Sequence, residues 1–295
     1  MMNILITGIN GFVGSILRTS LESKGHLVSG IDVQSNDERT RAVDITDQTG
    51  VMRHIKELAP DFIFHLAAIS RVDYANPSLL YNINMSGTLN LLMAAAQLTK
   101  KPEFMLISSS QVYGIVRDSD QPITEQAAIN PVNHYGASKA SAEHVARVFQ
   151  NEYGLPIAIA RPFNHIGRGQ DPHFVIPKII RAIHENKSEI ELGNLSIIRD
   201  FLDVRDVVDA YVRIMEHFPD GGTFNIAGGI GYRLSDLLHL ILEISQAPLT
   251  IKQSGSLIRK NEIVKAIGDG SALQKLCGWR PAHSIRETLE WILSE

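Results

Sequence analysis

Cysteine is nearly absent from this chain. Cys277 is the only one in 295 residues, so no disulfide can close within it, and a reducing compartment is the expected setting. Cys277 itself reads as a small apolar core residue. An excess of one charge is missing too: 28 Lys and Arg stand against 32 Asp and Glu, a net charge of -4, so nothing points to nucleic acid or a polybasic membrane surface. No apolar run approaches the roughly 20 residues of a membrane-spanning helix, and the N-terminus leads into a strand-like run rather than a signal peptide. His65, His134, His144 and His165 are scattered without metal-ligand spacing, so no metal is expected, and His65, inside an apolar run, reads as a hydrogen-bonded core residue. Repeats and low-complexity tracts are lacking. What is left is a chain 44% hydrophobic and 20% charged, long enough for one large domain or two modest ones, with the cytoplasm as its expected location.

Apolar runs at 3–7, 27–31, 41–43, 62–67, 104–108 and 157–160 alternate with helical patterns near 12–24, 47–58, 83–99 and 136–152. That alternation predicts an α/β fold, a doubly wound parallel sheet covered on both faces, with ligands at the carboxyl ends of its strands. Beyond Arg161-Pro162 the segments shorten. A helix is expected over 174–185, short strands over 190–192 and 199–202, and a helix after Asp203, its N-cap, with Val204, Val207, Val208, Tyr211, Val212 and Met215 on one face. The run 223–227 suits a further strand of the main sheet, and helices are expected near 234–245 and 284–293. The predicted division is 1–163 with 203–229 as a dinucleotide-binding domain, and 164–202 with 230–295 as a smaller C-terminal α/β substrate lobe.

Three local patterns carry chemistry. Thr7-Gly8-Ile9-Asn10-Gly11-Phe12-Val13-Gly14 joins the first strand to the first helix. Glycines there allow a tight turn and a close backbone approach, and the helix N-terminus aims N–H groups at a diphosphate. Asp32 closes the next strand, where a carboxylate accepts from the adenosine ribose. Tyr135 and Lys139 stand four apart, on one helix face, where an ammonium favours the phenolate and tunes the phenol for proton transfer. Ser108-Ser109-Ser110 ends the strand at 104–108, suited either to a substrate oxygen or to local backbone groups.

Together these patterns resemble the extended short-chain dehydrogenase/reductases, the Rossmann-fold NAD-dependent epimerase/dehydratase family that modifies nucleotide sugars. His65-Leu66-Ala67-Ala68, Ser108-Ser109-Ser110-Gln111-Val112-Tyr113-Gly114, Arg161-Pro162-Phe163-Asn164 and Arg199-Asp200-Phe201-Leu202-Asp203-Val204 extend the likeness over nearly the whole chain. The resemblance implies that Tyr135 exchanges the proton, Lys139 lowers its pKa and holds the nicotinamide ribose, and Ser109, beside Ser110, contacts the reacting sugar oxygen. It implies a cofactor held by Gly8, Asn10, Gly11, Phe12, Val13 and Gly14, by Asp32 at the ribose, by Asp44 and Ile45 at the adenine, and by Leu66, Ala67 and Ala68 along the diphosphate and nicotinamide. Asn164 and Arg199 would meet the sugar-nucleotide diphosphate, with Arg259 on phosphate and Glu262 on the nucleoside ribose; arginine forks and carboxylates suit those groups, although both also occur as solvated surface charges.

Within that branch, dehydratases carry a glutamate base where this chain has Gln111, and a carboxamide has no basicity to offer. The segment Ala160 to Gln170 resembles reductases of GDP-6-deoxy-4-keto-hexoses, the GDP-rhamnose-forming enzymes among them, with Arg168 in place of their usual proline. The expectation is reduction of the 4-keto group of a nucleotide-linked 6-deoxy-4-keto-hexose, GDP-4-dehydro-6-deoxy-D-mannose as the candidate. The alternatives are a 4-epimerase that keeps its NAD, and an NAD-binding regulator without catalysis. Asp32 repels a 2′-phosphate and no arginine follows it directly, so NAD(H) is favoured and NADP(H) remains open. The alanine-bearing helices near 83–99 and 136–152 pair across a two-fold axis in the family, which implies a homodimer.

Overall fold

The computed structural model describes residues 1–35, 37–258 and 261–294. The first half builds strand by strand as the periodicity dictates. Strand β1 (Asn3–Thr7) runs through the glycine turn into α1 (Phe12–Ser23), followed by β2 (Leu27–Asp32), β3 (Thr40–Ala42), α2 (Gln48–Leu58) and β4 (Phe62–His65). Then come α3 (Pro77–Tyr81), a π-helical segment (Asn82–Gly87), α4 (Thr88–Ala96), β5 (Glu103–Ile107), α5 (His134–Tyr153) and β6 (Ile157–Pro162). The single helix expected near 83–99 is therefore two pieces, the π-helical segment and α4, with α3 ahead of them. Within the wide turn the buried carboxamide of Asn84 accepts from the Ile69 N–H at 2.8 Å and donates to the Ile69 carbonyl at 3.0 Å; wide turns of this kind gather at functional positions.

The remaining elements are β7 (Asn164–Ile166), α6 (Val175–His184), β8 (Glu189–Leu192), β9 (Ile198–Asp203), α7 (Val204–Glu216), β10 (Thr223–Ile226), β11 (Gly231–Arg233), α8 (Leu234–Ser245), β12 (Thr250–Gln253), β13 (Lys265–Ala266), α9 (Ser271–Cys277) and α10 (Ile285–Leu293). Asp203 Oδ1 accepts from the Arg205 N–H at 2.8 Å and so caps α7.

Two units pack separately. The first comprises Met1–Gly114, Ala128–Pro162 and Val208–Phe224; the second comprises Ile115–Ala127, Phe163–Val207 and Asn225–Glu295. The expected boundaries differ chiefly at 115–127. That stretch follows the second unit because the Ile123 N–H donates to the Ile267 carbonyl at 2.7 Å and the Ile123 carbonyl accepts from Asp269 N–H and Asn225 Nδ2.

The main sheet has seven strands in the order β10-β6-β5-β4-β1-β2-β3. In register, Thr7 lies beside both Ile31 and His65, His65 beside Leu106, and Ile107 beside Ala160. The carboxyl ends therefore finish together. The glycine turn, Asp32, Leu66–Ala68, Ser108–Ser110 and Arg161 all emerge along one edge, and the order reverses between β1 and β4, where ligands bind such sheets. Leu5, Ile63, Phe104, Leu106, Ile157 and Ile159 are buried against Val51, Ile55, Leu91, Leu92, Ala142 and Ala146 of the flanking helices, and this apolar burial is the main force holding the layers.

In the second unit β9 pairs with β7, β11 and β13, and β8 pairs with β12. Its core gathers Ile166, Ile179, Phe201, Leu237, Ile241 and Leu289. Asp200 is buried there and accepts from the N–H groups of Gly228, Gly229 and Gly268 at 3.0, 2.9 and 3.2 Å; burial nevertheless pushes its carboxyl up to about 6.

Candidate active site

The glycine turn is shaped by contacts that a side chain would destroy. Gly8 adopts a φ of +70°, and a Cβ there would lie 2.9 Å from the Cα and N of Ala67. A Cβ on Gly14 would stand 2.2 Å from the Gly8 carbonyl oxygen. Gly11 is the extended N-cap of α1 and contributes no capping side chain, and Phe12 and Val13, half-buried, form the first turn of that helix with Gly14. Backbone and helix terminus thus present a cradle whose chemistry fits a diphosphate.

Asp32 is pinned beside this cradle. Its Oδ2 accepts from the Asn10 N–H at 3.0 Å and its Oδ1 from the Val33 N–H at 2.8 Å, while Asn10 Nδ2 donates to the Gln34 carbonyl. Each oxygen keeps a second lone pair for a ribose hydroxyl. The basic side chains of α1 and of the stretch after β2 are already paired: Arg18 with Glu22 and Asp37, and Arg39 with Glu22. Asp44 is exposed and accepts from Thr46; Ile45 is buried and its carbonyl accepts from Asn90 Nδ2 at 2.9 Å. Leu66, Ala67 and Ala68 are half-buried, and the Ala67 N–H donates to Thr7 Oγ1 at 3.1 Å.

The reacting groups stand on β5 and α5. Ser109 follows β5, caps a turn over Ser110–Tyr113, and accepts from the Gln111 N–H at 3.2 Å. Helix α5 begins where Asn133 Oδ1 accepts from the Gly136 N–H at 2.8 Å and ends at Gly154, left-handed at φ +59°. That start places Tyr135 in the first turn, half-buried, where the Ser109 hydroxyl acts on its phenol. Lys139, one turn on, is 3% exposed. Burial pushes the ammonium down to about 8, against the opposing pull of Glu143, and Nζ makes no hydrogen bond among the described residues. A buried, unengaged ammonium beside the cradle suits a polar ligand atom such as a ribose hydroxyl.

The expected lowering of the Tyr135 pKa by Lys139 is corrected here. The phenol is pushed up, because burial disfavours the phenolate, and the group that opposes this is the Ser109 hydroxyl. Gln111 Oε1 accepts from Asn133 Nδ2 at 3.0 Å, so the carboxamide beside the serine cluster is oriented.

Behind these residues lies a polar layer that the local patterns did not announce. Glu143, buried on α5, accepts from Arg161 Nε at 2.9 Å and Arg161 Nη2 at 2.6 Å, and from the Ser108 hydroxyl. Arg161 Nη1 donates to the Tyr113 hydroxyl at 2.9 Å. The available signal was a charged residue, Arg161, continuing an apolar strand. His65 is also buried: Thr88 Oγ1 donates to the Asn84 carbonyl and so accepts from His65 Nε2, leaving Nδ1 to accept from Thr7.

In the second unit Asn164 is half-buried on β7, with its register partner Phe201 two residues along β9 from Arg199. The Arg199 guanidinium, buried, donates to the carbonyls of Ile198, Val264 and Ile263. Glu262, adjoining, accepts from Asn194 Nδ2 at 2.8 Å. The structure thus brings Arg199 and Glu262 to one neighbourhood, with the arginine donors on main-chain oxygens. Arg259 lies outside the described residues. Among the described residues no helix is long and apolar enough to cross a membrane.

A parallel sheet in this order, a glycine cradle at its switch point and a Ser-Tyr-Lys set define an oxidoreductase of the extended short-chain dehydrogenase/reductase class, with a nicotinamide dinucleotide as cofactor. The profile of the NAD dependent epimerase/dehydratase family matches residues 4–227, and the chain belongs to that family. It is 36% identical over 279 residues to the GDP-6-deoxy-D-talose 4-dehydrogenase of Aggregatibacter actinomycetemcomitans, covering 94% of this chain and 92% of that one. It is 33% identical over 299 residues to the GDP-6-deoxy-D-mannose reductase of Pseudomonas aeruginosa, covering 99% and 96%. The structure of RMD from Pseudomonas aeruginosa complexed with NADPH superposes with a TM-score of 0.89 at 32% identity, over 100% of this chain and 98% of that one.

Proposed function

We propose that this protein reduces the 4-keto group of a GDP-linked 6-deoxy-4-keto-hexose, with GDP-4-dehydro-6-deoxy-D-mannose as the candidate substrate. One observation carries the choice of reaction: the side chain that follows the serine cluster, held by Asn133, is the carboxamide of Gln111, which offers no basicity for an elimination, whereas Tyr135 offers a proton. The substrate class follows from the two relatives that act on GDP-6-deoxy sugars.

In this reading Gly8, Asn10, Gly11, Phe12, Val13 and Gly14 hold the cofactor diphosphate, Asp32 its adenosine ribose, Asp44 and Ile45 its adenine, and Leu66, Ala67 and Ala68 the nicotinamide side. The bound reduced nicotinamide supplies a hydride to C4. Ser109 hydrogen-bonds the ketone oxygen and Tyr135 gives it the phenolic proton, so ketone, hydride and proton become the alcohol. Lys139 holds the nicotinamide ribose, and water returns the proton to Tyr135. A half-buried phenol with a raised pKa keeps its proton until the developing alkoxide takes it. Asn164, Arg199, Arg259 and Glu262 bind the sugar nucleotide, and the Arg199 donors exchange main-chain oxygens for phosphate oxygens.

A panel of GDP-, dTDP-, UDP- and CDP-linked 4-keto-6-deoxy sugars, followed by oxidation of NADH and of NADPH, tests this. The expected result is turnover of the GDP sugar with one cofactor consumed per product, and a loss of about 10²–10⁴-fold in Tyr135→Phe with cofactor binding retained. Product formed without net cofactor consumption identifies a 4-epimerase instead, and full activity of Tyr135→Phe removes the assigned proton donor.

A further inference from the structure

Tyr135, Lys139 and Glu143 recur at every fourth position of α5, so the three side chains stack along one face of the helix. The third is a carboxylate 3% exposed, and it is not solitary. Arg161, at the end of β6, meets it with two donors at 2.9 and 2.6 Å, and Ser108, at the end of β5, donates to the same oxygen that Arg161 Nε reaches. The Arg161 guanidinium lies over the Tyr113 ring at 5.0 Å and donates to its hydroxyl. Burial works against the charge on Arg161, and the bonds to Glu143 overcome it, holding the guanidinium above its ordinary value. Removing a charged pair of this kind from water is expensive, and apolar residues would pack the same space at less cost.

We propose that Glu143 is a positioning residue for the reductive chemistry: with Ser108 and Arg161 it braces the strand end that carries Ser109 against the helix face that carries Tyr135 and Lys139. The assignment of a reaction to Tyr135 rests on the function proposed above; the brace rests on these contacts, and with it goes a charge role, the pull of Glu143 on the Lys139 ammonium one helical turn away.

The neighbours of Lys139 support the charge role. His65 on β4 is neutral, pushed down to about 3 by burial and by the Lys139 charge. Arg161 faces Glu143 from β6 and is met by Tyr113 in the turn after β5, Tyr211 on α7 is a buried phenol near Tyr135, and Tyr81 on α3 meets His134 at the start of the helix. The groups that act on the ammonium are its own burial and Glu143.

The test has a readout independent of turnover. NMR titration of the Lys139 ε-methylene, assigned with Lys139→Arg, is expected to give a midpoint near 8 in the natural protein. In Glu143→Gln/Arg161→Met, which removes both charges and leaves no lone buried ion, that midpoint falls by about one unit or more. The basic limb of the pH profile for kcat moves down with it while KM for the sugar holds. An unmoved midpoint overturns the charge role. Ser108→Ala leaves both charges in place; kcat is expected to fall roughly tenfold with the Lys139 midpoint unchanged. An unchanged kcat there overturns the brace, and that variant decides the matter if the double variant does not fold. If the natural protein turns over no nucleotide sugar, the proposed function fails, and the NMR titration still decides the role of Glu143.

Discussion

Asp32 spends one lone pair of each carboxylate oxygen on main-chain N–H groups, of Asn10 and Val33, and so stands as a fixed negative charge beside the glycine cradle. The guanidiniums of Arg18 and Arg39 are committed to Glu22 and Asp37 and do not offset it. A 2′-phosphate brought near that carboxylate meets repulsion of at least about 1 kcal/mol even at the dielectric of water. NADH is therefore expected to be preferred. In Asp32→Asn, which keeps the shape and an acceptor for Asn10, the ratio of kcat/KM for NADPH over NADH should rise on the order of tenfold. A ratio that stays put would show that another group reads the ribose. Asp32, Ser109, Tyr135 and Lys139 are legible in the sequence because each is fixed by neighbours a few positions away: a strand end, a turn, one helical turn. Glu143 and Arg161 are 18 residues apart and meet only once α5 has turned the chain back into β6, so no local pattern pairs them. The direction of the Tyr135 shift was hidden for the same reason, since burial is a property of the packed helix.

Helix α5 carries the chemistry, and one glycine sets its distance from the serine turn. A Cβ on Gly136 would lie 2.4 Å from the main-chain oxygen of Gln111 and 3.1 Å from Pro131 Cβ. Alanine in a helix interior ordinarily gains about 1 kcal/mol over glycine. Here the added methyl presses on backbone, and the turn holding Ser109 must separate from the helix holding Tyr135. Gly136→Ala is expected to lower kcat by roughly 10²-fold, as a displacement of about 1 Å does at reacting centres, with cofactor affinity little changed. A variant with unimpaired kcat and a higher melting temperature would mean that the turn yields freely. The long elements of the first unit follow their hydrophobic periodicity, so α1, α2, α5 and β1 lie within two residues of expectation. Elements held by distant partners do not. The π-helical segment carries Asn84, bonded to Ile69 fifteen positions back, and the short strands β12 and β13 exist because β8 and β9 accept them.

For the chain as a whole, two buried groups set opposing responses to acid. His65 is held neutral between Thr7 and Thr88, its pKa pushed down to about 3 by burial and by the Lys139 charge, against about 6.5 when unfolded. Between those values the unfolded chain binds a proton that the native one does not, so stability falls as the pH drops through that window. Asp200 behaves in the other sense. Burial raises it to about 6, above the roughly 3.9 of an unfolded aspartate, so the native chain takes up the proton first and stability rises as the pH falls through 6. Going from pH 7 to pH 5, His65 removes about 2 kcal/mol and Asp200 returns about 1 kcal/mol, which leaves a small net loss from the pair. The two are separable in His65→Gln, whose carboxamide also offers one donor and one acceptor to the flanking hydroxyls but does not titrate. Urea unfolding of both proteins at the two pH values isolates the imidazole. The natural protein should lose about 2 kcal/mol more than the variant over that interval. Equal losses would mean that the imidazole gains its proton inside the fold without penalty, in conflict with a ring whose two nitrogens already serve one donating and one accepting bond.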